Sequence, residues 1–439
     1  MLDELRQAAT RHRQEHPLRQ AVLGCKRLLS ERGQTNSLAI AAALLPRLEA
    51  LGSGAALDGF FTYLASELSP DPKAVLEVAN AYAQQPDATR LVALTRAAEP
   101  PRQELLRRIN RAPGGTARIL RLRRQLLERL AARPELAAVE ADLLHLLQSW
   151  FNPGFLNMQR VDWQSPAQLL EKIIRHEAVH EIDGWDDLRR RLLPDRRCFA
   201  FFHPQLPGEP LIFVEVALLP HVPDAIAALI DKAAEPLAPD RFRVAAFYGI
   251  SNCEPGLRGV SLGNFLIKSV AEQLHRELPQ LRTFVTLSPI PGLAAWLMAR
   301  PQGPDFGALP QLRRPQVQAL HAALALLHER TGGKLEALQQ PAAHRQPDEA
   351  LDAALLALAS CYLGHVSTTP AGDPVARFHL DNGARLERIN LRADLSPKGL
   401  RQSFGLMVNY LYDLDRIEAS HEMFVHGEVA RSRAVRALI

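Results

Sequence analysis

Residues 243–292 read RVAAFYGISNCEPGLRGVSLGNFLIKSVAEQLHRELPQLRTFVTLSPIPG. The apolar run 244–250, closed by turn-prone residues 251–256, predicts a buried strand. Phe265, Ile267, Val270, Leu274 and Leu278 then recur near the helical period, with Asn264 placed to cap that helix. A second apolar run, 283–287, stops at Ser288-Pro289 and predicts another strand. Strand, glycine-bearing loop, helix, strand is a βαβ unit. Its loop, Arg258-Gly259-Val260-Ser261-Leu262-Gly263-Asn264, puts two glycines just before a helix start. Unpaired N–H groups and the helix dipole favour an anion there. Without side chains at Gly259 and Gly263, a diphosphate can approach the main chain closely. An ordinary strand-to-helix turn has the same glycines, so the loop alone leaves both readings open.

Around this unit lie 439 residues, 47% hydrophobic and 23% charged, enough for about two or three domains with substantial cores. A formal net charge of +4 permits anionic ligands and is too mild to argue for nucleic acid. Cys25, Cys198, Cys253 and Cys361 are widely spaced with no CxxC, which disfavours a zinc ribbon, a redox dithiol or a disulfide scaffold. No apolar run reaches about 18 residues without a charge, so no membrane span is expected. The first residues lack the apolar core of a signal peptide, and the last four, RALI, are not a peroxisomal address. The expected compartment is the cytoplasm.

Residues 1–150 are rich in Leu, Ala and Arg and are punctuated by Pro and Gly, which predicts an all-α helical bundle. In one helix Thr116 is the expected N-cap, and Ile119, Leu122, Leu126 and Leu130 line one face. No chemistry is visible in this part, and packing or self-association is its expected role. Asn152-Pro153-Gly154 marks the boundary. Over 151–439 the pattern predicts helices at 167–179 and 185–193, strands at 197–203 and 211–219, and a helix at 223–234. The βαβ unit follows, then a short helix at 292–300 and two Leu/Ala helices between 312 and 362. A strand at 375–380 and a partner at 384–389 are expected to form a hairpin about Asp381-Asn382-Gly383. Ser396-Pro397 then opens a helix.

Three constellations could carry chemistry. His176-Glu177-Ala178-Val179-His180 satisfies H-E-x-x-H, the helical zinc motif. The metzincin extension fails, because Asp183 stands at the required glycine, and a surface or structural role is the better reading. Ser288 ends a strand before Pro289-Ile290-Pro291-Gly292, a rigid turn that holds its hydroxyl at the strand mouth. No G-x-S-x-G surrounds it, so a hydrolase nucleophile is not indicated. His379, in Phe378-His379-Leu380, reads by itself as a structural hydrogen-bonder, and spacing alone does not pair it with Ser288.

A resemblance supplies the pairing. Arg258-x-x-Ser261-x-Gly263 is similar to the Gln/Arg-x-x-Gly-x-Gly/Ala signature with which GNAT acyltransferases hold the CoA pyrophosphate, Ser261 replacing the usual first glycine. Together with TLSPIPG, ARFHLDNGARLERIN and SFGLMVNYLYDL, the segment from about 180 to 412 resembles the malonyl-CoA decarboxylase family. The resemblance implies an α+β two-domain chain, with a helical oligomerisation domain over 1–150 and a GNAT-like mixed α/β acyl-CoA domain over 151–439. It implies Ser288 and His379 as catalytic residues, and residues 258–264 as the CoA-binding loop. It implies malonyl-CoA as substrate, acetyl-CoA as product, and a homo-oligomer, dimer or tetramer, acting in fatty-acid metabolism. No metal and no cofactor beyond the CoA of the substrate is expected, and no nucleic-acid or membrane partner. An acyl-CoA-dependent acyltransferase and a non-catalytic acyl-CoA sensor are the rival readings.

Overall fold

The structure, a computed structural model, describes residues 2–30, 35–260, 262–300 and 302–439, without the side chains of residues 2–15 and 263–265. The chain divides into two compact units. One comprises Met1–Asn157 with the excursions Phe202–Leu211 and Glu254–Ser261. The other comprises Met158–Phe201, Ile212–Cys253 and Leu262–Ile439.

The first unit is helical. Its helices include α1 (Leu2–Leu29), α2 (Ser37–Glu49), α3 (Ala55–Ser66), α4 (Pro72–Gln84) and α5 (Ala88–Ala98). They continue as α6 (Pro101–Asn110), α7 (Gly115–Leu127) and α8 (Ala137–Trp150). Pro17, which reads as a breaker, lies inside α1, and Pro46 lies inside α2; the breakers from Gly52 to Pro134 fall between helices or at their first turns. Asp71 and Asp87 cap α4 and α5 through their carboxylates. The start of α7 differs from expectation. Gly114, at φ 79°, is its N-cap, and Thr116 lies inside the helix with its hydroxyl 2.8 Å from the Asn110 side chain. Ile119, Leu122 and Leu126 are buried as the periodicity requires.

The second unit carries a mixed sheet of eight strands. They are β1 (Asn157–Val161), β2 (Arg196–Phe202), β3 (Pro210–Leu219), β4 (Val244–Asn252), β5 (Thr283–Thr286), β6 (Ser288–Pro289), β7 (Arg385–Asn390) and β8 (Met407–Leu411). β3 runs antiparallel to β4, and β4 parallel to β5 from Val244↔Thr283 to Phe247↔Thr286. The parallel ladder ends beside a register shift: Glu215 faces Gly249 while Val216 faces Phe247, so Tyr248 is the extra residue of a bulge. A bulge bends its strand, and here β4 leaves β5 at the level of Ser288.

Helix α9 (Ala167–His176) stops earlier than expected and α10 spans Gly184–Arg191. The helix expected at 223–234 shrinks to the single turn Ala227–Ile230. The glycine loop leads into α11 (Gly263–Glu277), whose N-cap is Leu262, so Asn264 sits in the first turn and does not cap it. Then come α12 (Leu293–Met298), α13 (Arg314–Arg330) and α14 (Glu349–Cys361). Glu349–Val366 is long and apolar enough to cross a membrane by length and composition; it holds Glu349 and Asp352, and 61% of it is buried inside the fold.

The largest correction concerns residues 375–389. The segment expected as a strand is a helix, α15 (Pro374–Asp381). Asp373 accepts from the N–H groups of Val375 (2.9 Å) and Ala376 (3.0 Å), and Pro374 occupies the first helical position. The expected hairpin therefore does not exist, and β7 pairs antiparallel with β8. Ser396 does cap α16 (Pro397–Ser403), accepting from Gly399 N–H at 3.1 Å. The chain closes with α17 (Ile417–Val425) and the short α18 (Arg433–Arg436).

Candidate active site

Ser288 stands where β5 gives way to β6. Side chains replace the sheet ladder at this break. Thr286 Oγ1 accepts from Tyr410 N–H (3.1 Å), and Asn409 Nδ2 donates to the Thr286 carbonyl (2.8 Å). The following turn is held by Asp373, whose second carboxylate oxygen accepts from Gly292 N–H at 2.9 Å. One fully buried carboxylate thus ties the SPIPG turn to the N-terminus of α15. His379 lies in the last turn of that helix. This is how residues distant along the chain converge: His379 Nε2 is 3.1 Å from Ser288 Oγ.

The pair belongs to a longer relay. Tyr412 Oη lies 2.8 Å from His379 Nδ1, and Ser288 Oγ donates to Thr286 Oγ1 at 2.9 Å. One consistent set of donors satisfies the chain: Tyr412 O–H to Nδ1, Nε2–H to Ser288, and Ser288 O–H to Thr286. In that arrangement the proton rides on Nε2. Tyr410 stacks on the imidazole with ring centroids 4.7 Å apart and fixes its plane. Ser288, His379, Thr286, Tyr410 and Tyr412 are all buried. Burial pushes His379 down to about 3, so its imidazole is neutral at physiological pH. Desolvation thus removes His379 from the near-neutral range of a free imidazole.

A cavity of about 280 Å³ opens onto Ser288 and His379. Phe247, Ile250, Leu287, Val375 and Phe378 make it mainly apolar. Tyr248, the bulge residue, also lines it, and its buried hydroxyl has no hydrogen-bond partner among the described residues. The arrangement suits a short polar acyl group held at a hydroxyl and an imidazole within a poorly solvated slot.

The first part of the glycine loop, within Glu254–Ser261, belongs to the helical unit. Arg123 of α7, 1% exposed, donates to the carbonyls of Gly256 (2.7 Å) and Arg258 (2.6 Å) while paired with Glu140 at 2.6 Å. A Cβ at Gly256 would lie 2.5 Å from the Leu120 carbonyl, so only glycine fits against α7 there. Gly259 has φ 81°, the left-handed region, and the Arg258 side chain is exposed. Val260 N–H donates to the Leu257 carbonyl, and Leu262 is buried. Ser261 lies outside the described residues, as does the side chain of Asn264. None of the described loop residues lines the cavity at Ser288.

H-E-x-x-H does not form the zinc geometry. α9 ends at His176, so the two histidines do not share a helical face. Glu177 accepts from Val179 and His180 N–H (both 2.8 Å) and from Ser251 Oγ (2.9 Å), which is a turn-building role. No group of three or more metal-type ligands occurs among the described residues. Thr286, Asp373 and Tyr412 were missed by the sequence reading. The signals existed: Thr286 and Ser288, like Tyr410 and Tyr412, are two apart, the spacing that puts side chains on one side of an extended chain. Asp373-Pro374 is a helix-start signature.

Comparison with known proteins fits this geometry. Residues 154–439 match the family described as the malonyl-CoA decarboxylase C-terminal domain, and residues 68–151 its N-terminal domain. Malonyl-CoA decarboxylase, mitochondrial, of Mus musculus is 40% identical over 321 residues, covering 71% of this chain and 65% of that protein. The chain therefore spans just under two thirds of that curated relative. The crystal structure of malonyl-CoA decarboxylase from Rhodopseudomonas palustris superposes with a TM-score of 0.82 at 46% identity, covering 96% of this chain and 99% of the other. That from Agrobacterium vitis gives 0.80 at 45%, covering 95% and 99%. With both parts of the chain matched, it belongs to the malonyl-CoA decarboxylase family.

Proposed function

We propose that the protein is a carboxy-lyase converting malonyl-CoA to acetyl-CoA and carbon dioxide, with no cofactor beyond the CoA of its substrate. The observation that carries this is the buried Ser288–His379 pair, 3.1 Å apart, facing a small apolar cavity. The malonyl thioester is its own electron sink. Breaking the bond to the carboxylate sends its electron pair into the thioester carbonyl, releases carbon dioxide and leaves an enolate. Ser288 orients the malonyl group by hydrogen bonding. Burial disfavours the charged form of His379, and a malonyl carboxylate beside it adds the opposite charge that favours its imidazolium form. The proton gained on binding is held at Nδ1, with Tyr412 Oη turning to accept it, while the Nε2 proton passes to the methylene carbon, and solvent restores the ring. Positioned acid catalysis of this kind adds roughly 10²–10⁴ in rate.

Residues 258–264 grip the CoA diphosphate through backbone N–H groups and the Arg258 charge. The helical domain, residues 1–150, carries self-association into a dimer or tetramer. Helices α4 and α5 bury no residue in the single chain, and Leu76, Leu91 and Val92 are exposed on them. Four buried cysteines, none in a disulfide among the described residues, suit a reducing compartment such as the cytoplasm.

The test is malonyl-CoA given to purified, metal-free protein without an acceptor. Carbon dioxide and acetyl-CoA should appear in equal amounts. Little carbon dioxide until an amine acceptor is added would identify an acyltransferase. Binding without any turnover would identify a sensor.

A further inference from the structure

We infer that a second cavity, at the far end of β8 from Ser288, is a binding site for a small polyanion carrying two or more negative charges. Along β8, Val408 pairs with Ser288, whereas Leu411 and Asp413 line this second cavity, which shares no lining residue with the first. It measures about 510 Å³, room for a metabolite-sized molecule. Arg385, Arg416, Arg431 and Arg436 line it against only two carboxylates, Asp413 and Glu428.

The cations lack counter-charges. Arg385 pairs with Glu387 at 2.7 Å, but Arg416, Arg431 and Arg436 have no carboxylate in ion-pair range among the described residues. Arg431 is the centre of the cluster. Its Nη1 lies 3.1 Å from His365 Nε2, and its buried Nε has no acceptor among the described residues. Burial and then Arg431 push His365 down to about 4, so the imidazole is neutral and accepts from the guanidinium. Burial and then Arg436 push Arg431 down in turn, a like-charge strain that an anion would relieve.

The backbone makes room for this arginine. Gly364 lies in a π-helical turn, Tyr362–Val366, and a Cβ there would sit 3.0 Å from Arg431 Nη1. Such turns often mark functional positions. Guanidinium clusters recognise phosphate and carboxylate alike through forked donors. The shared chemistry is therefore a phosphorylated or polycarboxylate small molecule.

Calorimetric titration of the full chain at low salt, with inorganic phosphate in one arm and citrate in the other, tests this. At least one should bind with Kd near or below about 1 mM, and the arm that binds names the source of the charge. Arg431→Gln should weaken binding about tenfold or more. Should that half-buried change unfold the chain, Arg416→Gln with Arg436→Gln, both exposed, is the second variant and should do the same. It also separates this cavity from anions caught by the glycine loop. No binding up to about 10 mM, or binding that these variants leave unchanged, overturns the inference.

Discussion

Tyr412 orients His379 from behind through a 2.8 Å hydrogen bond to Nδ1, and this contact sets the tautomer. With Tyr412 O–H on Nδ1, the imidazole keeps its proton on Nε2, toward Ser288 and the cavity. Tyr412→Phe keeps the ring and removes the donor. Turnover should fall about tenfold, the worth of one buried hydrogen bond, with little change in KM; an unchanged kcat would mean the hydroxyl orients nothing. Ser288→Ala and His379→Asn should each lower kcat by about 10² or more while CoA binding, measured by competition, stays nearly intact. Equal loss of binding and turnover would make these residues substrate holders that do no chemistry.

Among the elements, α15 and the glycine loop show what secondary structure contributes. α15 is a helix because Asp373 and Pro374 start it, and the same Asp373 fastens it to the turn after Ser288. The loop is shaped by Arg123, which holds two of its carbonyls from inside the helical unit. Arg123→Met strands the Glu140 charge and frees both carbonyls. Unfolding in urea should show a loss of about 3–5 kcal/mol, the usual result of removing one partner of a buried pair. Where the chain stays folded, KM for malonyl-CoA should rise with kcat held. A short malonyl thioester without the diphosphate should be unaffected. A parallel rise in KM for both substrates would separate Arg123 from the diphosphate.

At the scale of the whole molecule, buried titratable groups set the pH range of stability. Burial lowers His180 and His365 to about 4 and His379 to about 3, from 6.5. Below pH 6.5 the unfolded chain takes up protons that these folded sites refuse, so the stability they contribute is lost as pH falls toward 4. Glu215 acts in the opposite direction. Burial and Glu177 raise it from 4.5 to about 8, so its contribution is present at low pH and lost as pH rises toward 8. From these groups the unfolding midpoint should peak near pH 6.5, and Glu215→Gln should flatten the alkaline decline. A wild-type midpoint that does not fall between pH 6.5 and 8 would show that Glu215 is ionised throughout. Self-association is also a property of this scale. Leu76→Glu with Leu91→Glu should lower the mass seen by light scattering if α4 and α5 form the contact, and an unchanged mass places the contact elsewhere.

The sequence by itself determined what local rules control. Amphipathic periodicity marked the helical first part, the alternation of runs and breakers marked the βαβ unit, and motif resemblance marked Ser288 and His379. It misassigned 375–380 because six residues of mixed apolar and polar character fit a strand or a helix equally, and the cap that decides between them lies outside the stretch. Only the tertiary structure decided that Asp373 joins two distant segments, that Tyr412 backs the imidazole, and that burial keeps His379 neutral. Hydrogen bonds across 33 to 91 residues and desolvation are products of packing, and no local pattern encodes either.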